Sequence, residues 1–289
     1  EICKEGNDGG RGNEITEADD DSYNSLEWGY VTQEDINRIA DLGNLKKLVF
    51  NIFENEDIDL SPLVKLEGLE ELVIYTIDCD YLDTAPLAEL KNLKKIHIEG
   101  NSDSLDLSFL SELNQLEKIY IQQNIDDLAV FRDMSELEEI YVEFVSDTDL
   151  NYLRELNKLE KIHIVGSNIR NVEDLSNLTN VKEIYLVEDI FDKEMLVLDM
   201  NIFKEMQGLE DILLSHFKIE DLSPLSQNKT LRVITLVHTD VTDIRPLAEL
   251  ENLYVLNIFE NYSAQVEEQA QKYFTDVKTN IYEEIPYSY

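Results

Sequence analysis

The sequence predicts an α/β solenoid, in which short parallel strands stack into one sheet and short helical turns return the chain behind it. Pairs of apolar residues separated by one residue recur ten times along the 289-residue chain, at spacings of 21 to 28 residues. The pairs are Leu48/Phe50, Leu72/Ile74, Ile96/Ile98, Ile119/Ile121, Ile140/Val142, Ile162/Ile164, Ile184/Leu186, Ile212/Leu214, Ile234/Leu236 and Leu256/Ile258. Such a period implies about ten repeats sharing one continuous core.

The strand within each repeat is predicted from the alternation of apolar and polar residues. The clearest copy, residues 156–164, has the pattern L-x-x-L-x-x-I-x-I. Successive side chains of a strand point to opposite faces, so Ile162 and Ile164 should point inward and His163 outward. A period in the twenties with one short strand per copy is typical of leucine-rich repeats, whose single strands cannot bury their apolar faces without stacked neighbours.

A second segment follows most strands and leads the chain back to the start of the next strand. Ser61-Pro62-Leu63, Ser223-Pro224-Leu225 and Arg245-Pro246-Leu247 each fit the first turn of a short helix, where proline loses no needed N–H. Together with L-x-x-L-x-x-L-x-L, this block resembles the internalin-type leucine-rich repeats of bacterial secreted and surface proteins, over roughly residues 42–258. The resemblance implies a right-handed, curved solenoid with the parallel sheet on its concave face and 3-10 turns and loops on its convex face.

Both ends of the repeat region should be capped, because an open solenoid end exposes apolar core. Residues 1–41 are predicted to form a polar, flexible tail and a cap, with a degenerate strand at 26–28 whose Trp28 covers the core and a helix at 33–41 that starts after Thr32. Repeats then occupy residues 42–262. A helix at 264–274, with Val266, Ala270, Tyr273 and Phe274 on one side, and a short strand at 278–285 form the C-terminal cap within 263–289.

The longest repeat contains an insertion at residues 189–201. Phe191, Met195, Leu196, Leu198 and Met200 make it apolar enough to pack on the solenoid as a helix or loop. A protruding loop that binds a partner is the alternative interpretation.

Composition excludes several classes of partner. The chain has 62 acidic and 24 basic residues, for a formal net charge of −38. Nucleic-acid binding rests on Lys and Arg at phosphates, so it is not expected, and neither is binding to an anionic membrane surface. No apolar run of 18 residues occurs, so membrane insertion is not predicted. The acidity favours solubility, and we expect a monomeric protein. Attraction of a basic partner is the second consequence of this charge.

The two cysteines are too few for a metal cluster. A disulfide between Cys3 and Cys79 would fit an oxidising compartment, but their separation in sequence does not establish their distance in space. The resemblance implies a secreted or cell-surface bacterial protein.

Candidate ligand-binding residues lie on the outward side of the strands. Five consecutive repeats place an aromatic or imidazole side chain between the two inward residues, and three further residues come from the adjacent outward column. The eight residues are His97, Tyr120, Tyr141, His163, Tyr185, Tyr75, Glu99 and Glu143. Exposed rings beside carboxylates suit contacts with proteins, peptides or sugars. The alternative is that tyrosine is present for its β-propensity and for stacking between neighbouring strands.

Catalytic or metal chemistry is not predicted. The sequence shows no nucleophile–base–acid order, no phosphate-binding glycine loop and no zinc motif. His216 and His238 occupy equivalent positions on adjacent repeats, with Glu188 and Glu260 nearby, which also suggests a metal site. Solvated turn residues are the favoured interpretation, so no metal and no cofactor is predicted.

The function predicted is therefore that of a non-enzymatic, extracellular or cell-surface scaffold that binds another protein or peptide of some basic character on its concave face. Carbohydrate binding by the tyrosine row, a structural spacer and an intracellular regulatory scaffold remain alternatives.

Overall fold

The computed structural model describes residues 25–53, 58–79, 82–100, 105–188, 194–260 and 263–282. The predicted flexible tail, Cys3 and Phe191 lie outside these residues. Cys79 is buried, and its pairing with Cys3 stays a prediction.

Fourteen strands and two α-helices are described. The strands are β1 Ser25–Tyr30, β2 Lys47–Phe53, β3 Glu71–Ile77, β4 Lys95–Gly100, β5 Lys118–Asp127, β6 Glu139–Asp147, β7 Lys161–Gly166, β8 Glu183–Glu188, β9 Leu196–Val197, β10 Asp211–Ser215, β11 Phe217–Lys218, β12 Val233–Val237, β13 Val255–Phe259 and β14 Lys278–Tyr282. Helix α1 is Gln33–Ala40 and α2 is Ala264–Tyr273. Twelve strands form one parallel sheet in the order β1-β2-β3-β4-β5-β6-β7-β8-β10-β12-β13-β14, which confirms the predicted fold class.

The register of the sheet follows the repeat alignment. Ile162 is paired with Ile184, and Ile164 with Leu186, in β7 and β8. All twenty residues of the ten inward pairs are at most 1% exposed. Because each strand carries its apolar residues at the same two positions, stacking in register buries all of them in one layer.

Short 3-10 helices return the chain behind the strands. Four of them have proline in their first two positions, as at Ser61–Lys65 and Ser223–Gln227. Their inward leucines, including Leu63 and Leu225, are fully buried. The prediction of short helices after the strands is confirmed, with 3-10 geometry.

The N-terminal end has the predicted strand and helix. Leu26 is paired with Leu48 and is buried, whereas the register shifts between Glu27 and Tyr30. Trp28 lies in this irregular stretch and is partly exposed, while its indole Nε1 atom is buried. Helix α1 begins after Thr32 with a capping box: Thr32 Oγ1 accepts from the Asp35 N–H, and Asp35 accepts from the Thr32 N–H.

The C-terminal end carries α2 and β14. Val266, Ala270 and Phe274 are buried, as predicted. Tyr273 was predicted on the same side but is 42% exposed. Gln269 is also buried, and its side chain bonds to the backbone of residues 242 and 244. Strand β14 is paired with β13, so backbone donors and acceptors of the last repeat strand are satisfied.

The described part of the insertion packs against the next repeat. Leu196 in β9 is paired with Phe217 in β11, and Leu198 and Met200 are buried. Val197 remains 55% exposed.

Charged residues before the strands match from one strand to the next. Lys47 and Lys95 lie 3.3 and 3.1 Å from Glu71, and Lys118 lies 2.8 Å from Glu139. Opposite charges therefore meet between these neighbouring strands. The chain divides into two compact units within β5: residues 120–124 belong to the first unit, and residues 117–119 to the second.

Candidate functional site

The eight predicted site residues are all partly exposed on the outward side of the strands, and they fall into two groups. Tyr75, His97 and Tyr120 form what we call the first ring cluster, in the first unit. Tyr141, His163 and Tyr185 form the second ring cluster, in the second unit. Each outward ring lies directly beside fully buried neighbours, because adjacent residues of a strand face opposite sides.

The first ring cluster is loosely stacked. The centroid of His97 lies 5.4 Å from that of Tyr75 and 5.8 Å from that of Tyr120. Tyr75 is paired in register with Glu99, so it reaches His97 as a diagonal neighbour. His97 Nε2 lies 3.2 Å from Glu99 Oε2, and the ammonium group of Lys95 lies 5.4 Å from the Tyr120 centroid, at cation–π distance.

The second ring cluster contains a close ring stack and two hydrogen-bonded tyrosine hydroxyls. His163 and Tyr185 stack with centroids 4.0 Å apart and planes 19° apart, and Tyr141 lies 5.5 Å away on the other side of His163. The Tyr141 hydroxyl donates to Glu143, and the Tyr185 hydroxyl donates to Asp211 at 3.0 Å. These bonds fix the direction in which the two tyrosine rings are presented.

Burial controls the ionisation of the second ring cluster. Desolvation lowers the pKa of His163, although the hydrogen bond with Glu183 at 2.6 Å opposes this shift. Desolvation and the neighbouring carboxylate of Asp211 raise the pKa of Tyr185. The pKa of Asp211 is itself raised by burial, against the effect of the Tyr185 hydrogen bond. The surface therefore combines an imidazole whose neutral form is favoured, that of His163, with carboxylates hydrogen-bonded to the hydroxyls of Tyr141 and Tyr185.

The structure adds Glu183, which is not among the eight candidate residues, to this surface. Glu183 contacts His163 and also lies 3.6 Å from Lys161. The signal was present in the alignment, because Glu183 precedes its strand pair by one residue and therefore points to the same outward side.

Beyond the second ring cluster, the outward positions carry amides and hydroxyls. Asn257 is 5% exposed and donates to Thr235 Oγ1 at 3.0 Å, while Asn280 donates to Asn257 Oδ1 at 2.7 Å. The two ring clusters thus lie on β3 to β8 and a short polar ladder lies on β12 to β14, where Phe259 and Tyr282 form a further stacked pair with centroids 6.0 Å apart.

Comparison with solved structures identifies a bacterial protein of similar architecture. An internalin, InlF, from Listeria monocytogenes superposes with a TM-score of 0.65 at 19% identity, covering 90% of this chain and 82% of its own. In fold, the chain is an internalin-type leucine-rich repeat solenoid. Internalin C2 from the same species has a TM-score of 0.45 at 21% identity, covering 79% of this chain and 84% of its own. A leucine-rich repeat protein of Leptospira interrogans has a TM-score of 0.45 at 13% identity, covering 89% and 82%.

The likeness concerns the internalin-type fold alone, and the ligand has to be argued from this chain's own residues. No family model matches the sequence, and no curated protein matches it. Among the described residues of this internalin-type solenoid, no helix is long and apolar enough to cross a membrane.

Proposed function

We propose that this protein is a non-enzymatic scaffold that binds another protein or peptide on the outward face of its strands. The internalin-type fold supports this function, since leucine-rich repeats supply an extended binding face without a catalytic centre. The fold likeness also favours a bacterial protein that is secreted or displayed at the cell surface and acts as a monomer.

The observation that carries the proposal is the placement, in each of the two units, of three rings on the outward side of fully buried strand residues. Outward tyrosines and histidines are partly exposed, whereas the inward residues beside them are at most 1% exposed. A rigid strand backbone presents these rings with little entropy left to lose on binding. Tyrosine is enriched at binding hot spots because it offers a large apolar area and a polar end.

Charge specifies the kind of partner. Glu99 and Glu143 lie beside the rings, and Glu183 and Asp211 lie at the edge of the second ring cluster. With a net charge of −38, the protein should attract a partner that presents Lys or Arg. Association should therefore slow, and binding weaken, as the salt concentration rises.

The test replaces Tyr120, Tyr141 and Tyr185 together with Ser and compares capture of binding partners from host-cell and bacterial surface extracts. A matched control replaces Tyr152, Tyr254 and Tyr273 with Ser, since these tyrosines lie outside the strands. We expect the strand-face variant to lose more than about 30-fold in affinity, because truncating a hot spot costs about 2 kcal/mol or more. Equal binding by both variants and the parent would place the function elsewhere, and residues 189–201 would be tested next.

Two further measurements separate the alternatives. Binding on a glycan array that is lost in the strand-face variant would identify a sugar as the ligand of the same rings. The complete coding sequence distinguishes export from an intracellular scaffold, because an N-terminal signal peptide would establish export.

A further inference from the structure

We propose that His216, His238 and Glu260 form a binding site for a late first-row divalent cation, with Zn²⁺ as the reference ion. The three residues immediately follow strands β10, β12 and β13. Their potential donor atoms, one from each side chain, all lie within 4.8 Å of one another. The proposal is independent of the ring clusters and of the function proposed for them.

The repeat backbone places the three side chains in one column. Ser215 is paired with Val237, and Val237 with Phe259, so the following residues are equivalent. The amide of each following residue donates to the next strand: His216 to Val237 O at 2.9 Å, His238 to Phe259 O at 3.0 Å, and Glu260 to Tyr282 O at 3.0 Å. These bonds hold the three Cα positions in a ladder while the side chains remain partly or fully exposed.

All three residues adopt left-handed backbone conformations, with φ of 63°, 51° and 54°. Phe144 has φ of 59° at the equivalent position of an earlier repeat, so this conformation belongs to the repeat and does not by itself indicate a ligand. What distinguishes the last three repeats is the chemistry of the side chains at this position. Two imidazoles and a carboxylate occur in succession, where Gly166 occupies the equivalent place in β7.

The orientation of His216 favours coordination. Ser215 Oγ lies 2.8 Å from His216 Nδ1, a contact of the kind that orients the ring of a metal-binding histidine. The His216 and His238 rings stack with centroids 5.0 Å apart and planes 20° apart. Zinc–nitrogen bonds of about 2.0–2.1 Å place tetrahedral donors closer together than 4.8 Å, so a modest rotation of the exposed side chains completes the site.

The donor set selects the class of cation. Mg²⁺ and Ca²⁺ prefer oxygen ligands, whereas imidazole nitrogen suits Zn²⁺, Ni²⁺ and Cu²⁺. Three protein donors also leave a fourth position, which water or a donor from a partner would occupy. The negative charge of the whole protein increases the local concentration of any cation, so selectivity must come from the histidines.

The first experiment follows the imidazole signals of the full-length protein by NMR while Zn²⁺ is added in the presence of excess Mg²⁺. The chain contains four histidines, which makes assignment direct. We expect the signals of His216 and His238 to shift together and saturate, while those of His97 and His163 stay unchanged. Shifts of all four histidines in parallel, or of none, would overturn the proposal.

The second experiment measures Zn²⁺ affinity by calorimetry for single substitutions. His238→Ala and Glu260→Gln remove a donor, and His97→Ala is the matched control, because His97 also lies beside a carboxylate. Ser215→Ala should weaken binding by about 10-fold, since loss of an orienting partner costs about 10–100-fold in metal affinity. We expect His238→Ala to lose more affinity than Ser215→Ala and His97→Ala to lose none. Equal affinities for the parent and His238→Ala would assign the bound Zn²⁺ to general surface carboxylates and overturn the site.

Discussion

The two ring clusters contain the same residue types, two tyrosines and one histidine, yet their histidines have different surroundings. His97 contacts Glu99 from its own strand, and that carboxylate is 45% exposed. His163 contacts Glu183 from the next strand, and that carboxylate is only 25% exposed. The stacking partner of His163 is 4.0 Å away, compared with 5.4 Å and 5.8 Å for the two partners of His97.

This difference shows that the residue on the neighbouring repeat, rather than the repeat motif, determines the chemistry of an outward position. The His163 side chain, whose acid comes from the next strand, is 21% exposed. The His97 side chain, whose acid lies two residues along the same strand, is 27% exposed. The second ring cluster is therefore the more pre-organised surface.

The largest effect is expected from the layer beneath the second ring cluster. Ile162→Asp buries an unpaired carboxylate at a position that is fully enclosed, and we expect a loss of more than about 4 kcal/mol in the free energy of unfolding. Urea unfolding followed by circular dichroism measures it. The control Ile162→Val should cost only about 1 kcal/mol. A parent-like midpoint for Ile162→Asp would contradict the register that supports both clusters.

The next effect concerns binding by the two clusters separately. Tyr141→Ser with Tyr185→Ser should weaken partner binding about 10-fold more than Tyr75→Ser with Tyr120→Ser. The reason is that ordering a side chain on binding costs about 0.5–1.5 kcal/mol, and the second pair is already held by Glu143 and Asp211. Surface plasmon resonance with a captured partner measures both. Equal losses would show that hydrogen bonding within the cluster does not contribute.

A smaller effect concerns pH. The pKa of His163 in the folded protein lies below the unfolded value of about 6.5, so on acidification the unfolded chain takes up this proton first. Stability should thus fall between pH 6.5 and the folded pKa, at no more than about 1.4 kcal/mol per pH unit from this group. Its contribution is absent well above pH 6.5.

Comparing the parent with His163→Asn in urea unfolding at several pH values isolates this contribution. Asp211, whose pKa is raised, has the opposite sign at lower pH, because the folded protein then binds the proton more tightly. A pH dependence that is the same in both proteins would show that His163 is not desolvated.

The smallest effect is expected from the exposed ion pairs before the strands. Lys46 lies 2.7 Å from Glu70 in the first unit, and Lys182 lies 2.7 Å from Glu160 in the second. Solvent screens these pairs, so Lys46→Ala and Lys182→Ala should leave the melting temperature nearly unchanged. A decrease as large as that of Ile162→Val would mean that charge matching contributes substantially to the stacking of strands.

The sequence by itself determined the repeat, the register and the identity of the core. The inward pairs, the prolines of the 3-10 helices and the capping box at Thr32 are local patterns, and each has only one way to satisfy burial or hydrogen bonding. The sides of the strands on which Tyr120, Tyr141 and Tyr185 lie followed from the same alternation. The shift in pairing between Glu27 and Tyr30 did not follow from it, because an end strand is not constrained by neighbours on both sides.

Only the tertiary structure decided which outward side chains act on one another. The contact of His163 with Glu183, the bond from Tyr185 to Asp211 and the convergence of His216, His238 and Glu260 each join residues 20 to 44 positions apart along the chain. Distances between repeats depend on rotamers, on burial and on the left-handed turns after the strands. A repeat motif specifies which residues are neighbours, whereas packing determines whether their polar atoms meet.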